Sequence, residues 1–258
     1  MKEYRITILG SGTCVPSLKR SSSSVLLEGT DEKILVDIGP GTIRRLLEVG
    51  VVIDEVDAIM LTHFHPDHSA ELPAFIFSTK YPAPMRREKS IRLIGGTGVR
   101  NFYENLVSAF QNYLALPEGL LKIEELPECG KNDRIFTDFT FEWMSVAHRP
   151  ESRAFRFTTG TDFSVVYSGD TDYSENLVQL ARNAHILICE SAFPDGAKTD
   201  GHLTPSLAGR IASMAGVRHL VLTHFYPVCE GYDIEAQCRK TYSGRLTLAR
   251  DLLEIEIG

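Results

Sequence analysis

An apolar run, Val56–Leu61, passes directly into Thr62-His63-Phe64-His65-Pro66-Asp67-His68. Four side chains able to ligate a metal therefore fall within six positions, just past what reads as a buried strand. His63 and His65 are two apart in an extended segment, so both can flank one metal. Pro66 disfavours helix at His65 and is itself suited to the first helical position, so a turn from extended to helical backbone is expected there. That turn would bring Asp67 and His68 round to a second metal beside the first. Structural histidines seldom occur as three in six residues, and the segment is read as a metal site.

The rest of the chain is consistent with a protein large enough to build a pocket around such a loop. Its 258 residues are 43% hydrophobic and 24% charged, ordinary for a soluble globular protein. No low-complexity stretch, charge block or Pro/Ser-rich linker divides it, so a single domain over residues 1–258 is expected. The formal charge of −7 argues against a surface that grips nucleic acid throughout, because phosphate neutralisation supplies most of that affinity. The opening Met1-Lys2-Glu3-Tyr4-Arg5 lacks the apolar stretch of a signal peptide, and no run approaches the roughly 18 apolar residues of a membrane span. Cys14, Cys129, Cys189, Cys229 and Cys238 are odd in number, scattered and without zinc-ribbon spacing, which fits reduced thiols and a cytoplasmic location.

Short apolar runs alternate with helix-like segments. Tyr4–Leu9, Ser23–Leu27 and Lys33–Val36 read as strands, Thr42–Val49 as a helix, Val56–Leu61 as a strand, with a helix from Pro66. Ile91–Ile94 reads as a strand and Val99–Leu114 as a helix. The pattern is β over Leu120–Leu126, Ile135–Ala147, Ala154–Thr158 and Phe163–Tyr167, the last two joined by a hairpin turn at Thr159-Gly160-Thr161-Asp162. Helices at Ser174–Arg182, Pro205–Ala215 and Ile234–Tyr242 then alternate with strands at His185–Cys189 and Val217–Leu222. This order predicts an α/β fold of two packed mixed sheets with helices outside, a four-layer αββα sandwich.

Other candidate ligands share one context. His148 follows the β segment that ends at Ala147, Asp170 follows Phe163–Tyr167, Glu190 follows His185–Cys189, and His224 follows Val217–Leu222. In α/β architectures functional groups gather at the carboxyl edge of the strands, so a shared pocket is expected. With His202, that pocket takes six of the eight histidines; His185 and His219 lie within strand segments and read as structural. Neutral imidazole and carboxylate suit Zn²⁺ at roughly 2.0–2.2 Å. Two such ions about 3.5–4 Å apart can share a carboxylate and a hydroxide. They lower the pKa of bound water towards ~7 and neutralise charge on a phosphodiester.

These motifs resemble the metallo-β-lactamase superfamily, and its ribonuclease Z-like branch in particular. The resemblance spans nearly the whole chain. It is carried by Ile6-Thr7-Ile8-Leu9-Gly10-Ser11-Gly12-Thr13-Cys14-Val15-Pro16, Leu35-Val36-Asp37-Ile38-Gly39-Pro40-Gly41-Thr42, His63–His68, His148-Arg149, Ser168-Gly169-Asp170-Thr171 and Leu222-Thr223-His224-Phe225. It implies the αββα metallo-β-lactamase fold, with His63, His65 and His148 on one metal, Asp67, His68 and His224 on the other, and Asp170 bridging. Asp67 would also orient or deprotonate the attacking hydroxide. His202, in Gly201-His202-Leu203-Thr204, would assist the leaving group, backed by Glu190. Asp37 would be structural and close to the metal loop, and a homodimer is implied.

The sequence departs from the tRNA-processing enzymes of that branch, which commonly carry a protruding arm between the segments matching His148 and Asp170. Here only residues 149–169 separate them, reading as two strands and a tight turn. The expected activity is therefore zinc-dependent hydrolysis, with Mn²⁺ or Fe as possible substitutes, of a small or short nucleotide phosphodiester such as a cyclic nucleotide. A tRNA 3′-endoribonuclease is the alternative. Lys80, Arg86, Arg87, Lys89 and Arg92 form the one basic cluster; it reads equally as a grip for substrate phosphates or as a solvated loop. Thioester or lactam hydrolysis and an iron redox protein rank lower. Diiron members typically place Glu where His65 stands.

Overall fold

The computed structural model describes residues 4–81 and 86–257. Its strands form two sheets of seven. The first, in order of position, is β14 (Leu253–Ile257), β1 (Tyr4–Gly10), β2 (Ser24–Glu28), β3 (Lys33–Val36), β4 (Ala58–Leu61), β5 (Ile91–Gly96) and β6 (Leu121–Leu126). The second is β13 (Arg245–Leu248), β12 (His219–Thr223), β11 (Ile186–Glu190), β10 (Ser164–Tyr167), β9 (Arg153–Thr159), β8 (Phe139–Ser145) and β7 (Cys129–Asn132). Strands β3 to β6 run parallel, as do β10 to β13, so each sheet has a run of carboxyl ends pointing the same way.

The period-2 pattern of these strands explains the four layers. In the first sheet Ile6, Ile8, Val25, Leu27, Ile34, Val36, Ala58 and Met60 face the second sheet, while Leu26, Leu35, Ile59 and Leu61 face outward helices. Those helices include α1 (Thr42–Glu48), α3 (Leu72–Ser78) and α4 (Val99–Phe110). The second sheet does the same. Val165, Tyr167, Ile186, Ile188 and Val221 point inward, and Val166, Leu187, Cys189, Leu220 and Leu222 pack under α5 (Glu175–Leu180), α6 (Pro205–Ala215) and α7 (Ile234–Arg239). Every central strand is thus buried on both faces, which is why these runs are almost wholly apolar. Phe136, Phe139, Phe141, Trp143, Phe155 and Phe157 fill the inter-sheet space towards the β7–β8–β9 edge.

The expected αββα sandwich is observed, with differences at the margins. β7, β13 and β14 were not expected; all three are edge strands, where one unpaired side and a shorter apolar pattern weaken the signal. The helix expected to reach Leu114 ends at Phe110, because Gln111 takes a positive φ of 53° and a 3₁₀ turn follows at Gln111–Tyr113. The helix expected to reach Tyr242 ends at Arg239. The helix expected from Pro66 is two pieces, α2 (Pro66–Ser69) and α3.

One loop-to-loop dock sets the position of the metal loop. Ile38 N donates to His68 O at 2.7 Å, and Glu71 N donates to Ile38 O at 3.1 Å. The Glu71 carboxylate then accepts from Gly41 N and Ile43 N at 2.6 and 2.7 Å, closing the amino end of α1 from across the interface. Gly39 makes this approach possible: a Cβ there would stand 2.0 Å from the carbonyl oxygen of Asp67. Backbone cannot yield as a flexible side chain can. Gly39→Ala is therefore expected to destabilise the protein by about 1–3 kcal/mol in a urea titration and to weaken metal binding together with it. A stability equal to wild type would show that the dock is not held as described.

Candidate metal centre

The site is assembled from strand ends, because the loops leaving one end of both sheets meet there. His63 and His65 leave β4 in extended backbone; His65, at φ −59° and ψ 147°, is the last residue before Pro66 opens α2, which carries Asp67 and His68. His148 follows β8, Asp170 follows β10, Glu190 ends β11, and His224 comes directly after β12. His224 holds a positive φ of 59°, uncommon for a non-glycine residue, and Phe225 N fixes the turn by donating to Ser11 O at 3.0 Å. The two sheets are also tied across the site, Arg153 N donating to Thr62 O at 2.9 Å and the Tyr167 hydroxyl to Asp37 Oδ2 at 3.2 Å.

The side chains converge in two groups. Donor atoms of His63, His65, His148 and Asp170 lie within 4.8 Å of one another, and so do those of Asp67, His68 and His224. A third grouping of the same span joins Asp170 and His224 to His202. Asp170 stands between the first two groups, one oxygen turned to each. Its Oδ1 is 3.1 Å from His68 Nε2 and 3.4 Å from His224 Nε2, and its Oδ2 is 3.7 Å from His63 Nε2 and 4.0 Å from His148 Nε2. His148 Nε2 is 3.3 Å from His65 Nδ1.

Three of the imidazoles are aimed by a partner on the nitrogen turned away from the centre. His68 Nδ1 donates to Asp37 Oδ2 at 2.7 Å, His224 Nδ1 to Ser23 Oγ at 2.7 Å, and His148 Nδ1 to Gly201 O at 2.9 Å. Ser23 passes its own proton on to Gly12 O at 3.1 Å. Such outer partners fix ring orientation and leave the inward nitrogen as a ligand. His63 Nε2, His68 Nε2, His224 Nε2 and Asp170 Oδ1 are buried without a hydrogen-bond partner, the contacts among them lacking hydrogen-bond geometry. An unsatisfied buried polar atom costs about 1–3 kcal/mol, and four around one point fit cations held between them.

Electrostatics agree. Burial pushes His63 well below its ordinary value, lowers His148, and takes His224 down to about 4, which keeps these rings neutral. Burial opposes charge on His68 as well, but Asp170 and Asp37 outweigh it and raise that imidazole well above its usual range. Burial likewise works against an ionised Asp170, yet His224, His68 and His63 together hold its carboxyl well below the ordinary carboxylate value.

Beside the groups sits a His–Glu pair. His202 Nδ1 is 3.0 Å from Glu190 Oε1. Glu190 is buried and accepts further from Thr171 N at 2.8 Å, Leu203 N at 3.1 Å and Ala192 N at 3.2 Å. Burial pushes Glu190 up to about 7. Burial also disfavours a charged His202, but the Glu190 carboxylate outweighs it and raises the imidazole.

The structure brings together all nine residues singled out in the sequence. Four of the five residues of the basic cluster, all but the exposed Arg86, are engaged within the protein. Arg87 is buried and spends its guanidinium on the carbonyls of Ile53, Val56 and Lys89. Lys89 pairs with Asp57, Arg92 with Glu124, and Lys80 with the carbonyls of Asn112 and Ala115. Ser23 and the Gly201 carbonyl were not anticipated, since an outer partner of a ligand has no residue type or spacing that marks it. Phe193 and Tyr226, stacked at 4.5 Å beside His202, were likewise missed.

Fold and site together define a metal-dependent phosphoester hydrolase of the metallo-β-lactamase superfamily, in its ribonuclease Z-like branch. The chain belongs to the family described by the anti-Pycsar protein Apyc1, whose model matches residues 4–202. Ribonuclease Z of Streptomyces coelicolor is 30% identical, in an alignment covering 100% of this chain and 99% of the relative. Among solved structures, the metallo-β-lactamase fold protein YhfI from Bacillus subtilis superposes with a TM-score of 0.86 at 23% identity, over 99% of this chain and 100% of that one. The short form of human tRNase Z gives 0.80 at 24% identity, over 98% and 99%.

Proposed function

We propose that this protein is a phosphodiesterase of small or short nucleotide phosphodiesters, such as cyclic nucleotides, using two zinc ions. The observation that carries the reading is Asp170, whose two oxygens divide between two histidine sets, with Asp170 Oδ1 and the inward nitrogens of His63, His68 and His224 buried without a hydrogen-bond partner. His63, His65 and His148 would hold one ion, Asp67, His68 and His224 the other, with Asp170 shared. When bound, such ions supply Lewis acidity towards a phosphoryl oxygen and a water acidic enough to attack at neutral pH. Asp67, a buried residue at 8% exposure, would orient or deprotonate that water. His202 donates a proton to the departing oxygen, held in place by Glu190.

A small substrate is favoured over tRNA by two features. Residues 149–169 are occupied by β9, β10 and the turns beside them, which supports the lack of a clamping arm. Of the basic cluster, Lys80, Arg87, Lys89 and Arg92 are already committed to carbonyls and carboxylates. Likeness to ribonuclease Z of Streptomyces coelicolor keeps tRNA 3′-processing as the second reading. Membership of a family described by an anti-Pycsar protein supports a role against Pycsar. The reading is of one domain over residues 1–258, homodimeric and cytoplasmic.

Zinc-loaded protein should hydrolyse bis(p-nitrophenyl) phosphate and at least one 3′,5′-cyclic nucleotide or dinucleotide, and cleave a tRNA precursor poorly. Efficient, site-specific release of a tRNA 3′ trailer with little turnover of the small esters would reverse the order of the two readings.

A further inference from the structure

The loop that carries His202 is moored by a side chain that the proposed chemistry does not use. Asp172 lies two residues past Asp170. Its Oδ2 accepts from Gly201 N at 3.1 Å and from Lys198 Nζ at 2.7 Å. Its own amide donates to Ala147 O at 2.8 Å, next to His148, and its Oδ1 accepts from Tyr173 N at 2.7 Å. Asp172 is therefore fixed against the metal loops and reaches from them to the His202 loop.

Gly201 makes that reach consequential. Its peptide N–H is taken by Asp172, and its carbonyl accepts from His148 Nδ1 at 2.9 Å. Its φ of 82° suits glycine, and a Cβ there would come within 3.1 Å of His148 Nδ1, so the backbone lies close against the ring. His202 is the next residue. Its side chain has Glu190 as its hydrogen-bond partner; Leu203 N, donating to Glu190 Oε2, holds the backbone on the far side of His202, and Asp172 holds it on the near side through Gly201.

We propose that Asp172 is the positioning residue for His202: by holding Gly201 and Lys198 it sets where the imidazole meets the leaving oxygen. Asp172 touches no reacting atom and acts through Gly201. The proposal rests on His202 being the proton donor. It follows that losing Asp172 should hurt only those substrates whose leaving group needs a proton. A sugar alkoxide needs one and p-nitrophenolate does not, because the latter leaves readily as an anion.

The test compares zinc-loaded wild type, Asp172→Ala, Asp172→Asn, His202→Ala and the double variant on bis(p-nitrophenyl) phosphate and on a 3′,5′-cyclic nucleotide. Asp172→Ala is expected to lower kcat on the cyclic nucleotide about tenfold and on the aryl ester by about twofold or less, with zinc content unchanged. Asp172→Asn keeps an acceptor for Gly201 N–H and should recover most of the loss. In the His202→Ala background, Asp172→Ala should cost nothing further, since both act through one group. Equal losses on the two substrates, loss of zinc, or additive losses in the double variant would overturn the positioning role. If His202→Ala itself shows no preference between substrates, the proton-donor reading fails. If wild type cleaves neither ester, the phosphodiesterase reading fails, and the proposal falls with either.

Discussion

Asp170→Ala is expected to lower kcat/KM on small phosphodiesters by about 10⁴-fold, the order seen when one member of a cooperating catalytic unit is deleted. The reason is geometric. Among the described residues Asp170 supplies the carboxylate that faces both histidine groups, and it is also an acid that favours a charged His68. Without it, the five imidazoles of the two groups are left with Asp67, Asp37 and the His202-paired Glu190 as the nearby acids. Two ions so close together repel strongly, and a shared carboxylate is what offsets that repulsion. Elemental analysis of purified Asp170→Ala should therefore show fewer zinc ions per chain than wild type, and excess zinc should not restore activity. A variant with full zinc content and wild-type turnover would remove the basis for the proposed centre. Circular dichroism and a urea titration on the same sample guard against a trivial cause. The variant removes buried charge without opening a large cavity, so it is expected to stay folded.

His202→Ala should separate chemistry from metal binding. It is expected to reduce turnover of a cyclic nucleotide by about 10²–10⁴-fold, the usual range for loss of a positioned proton donor. Zinc content should be nearly unchanged, because His202 Nδ1 is engaged by Glu190 and each proposed ion keeps its own ligands. That outcome discriminates between two placements of His202, since its donor atom also lies within 4.8 Å of those of Asp170 and His224. If zinc falls along with activity, His202 is a ligand and not a donor. Glu190→Gln should act in the same direction with a smaller effect, since it keeps the acceptor oxygen but removes the charge that raises His202. Asp67→Ala is expected to lose turnover as well, through the attacking water.

Much of this site could be read from local chemistry. His63, His65, Asp67 and His68 declare themselves because ligand types crowd a few positions, and Pro66 sets the turn that separates them. Placing His148, Asp170, Glu190 and His224 relied on one regularity, that each ends or follows an apolar strand. The sandwich followed from runs such as Ile34–Val36 and Ile186–Cys189, apolar on both faces. Such strands need cover on two sides, and only a layered α/β arrangement gives it. Three of the four edge strands escaped notice for the converse reason: β7, β13 and β14 have neighbours on one side only and bear a weaker demand for apolar residues.

What the sequence determined by itself was the composition of the candidate centre: which residue types, on which strand ends, suited to a divalent metal. Resemblance to a family supplied their expected grouping, and tertiary structure alone decided the contacts that make it. That Asp170 turns one oxygen to each histidine group, that Ser23 and Asp37 aim His224 and His68, and that Gly201 is shared between His148 and Asp172 depend on separations of a few ångströms between segments far apart in the chain. Hydrogen bonds and ligation act only over that short range, whereas the periodicity legible in a sequence reports which side of an element is buried and not what it meets there.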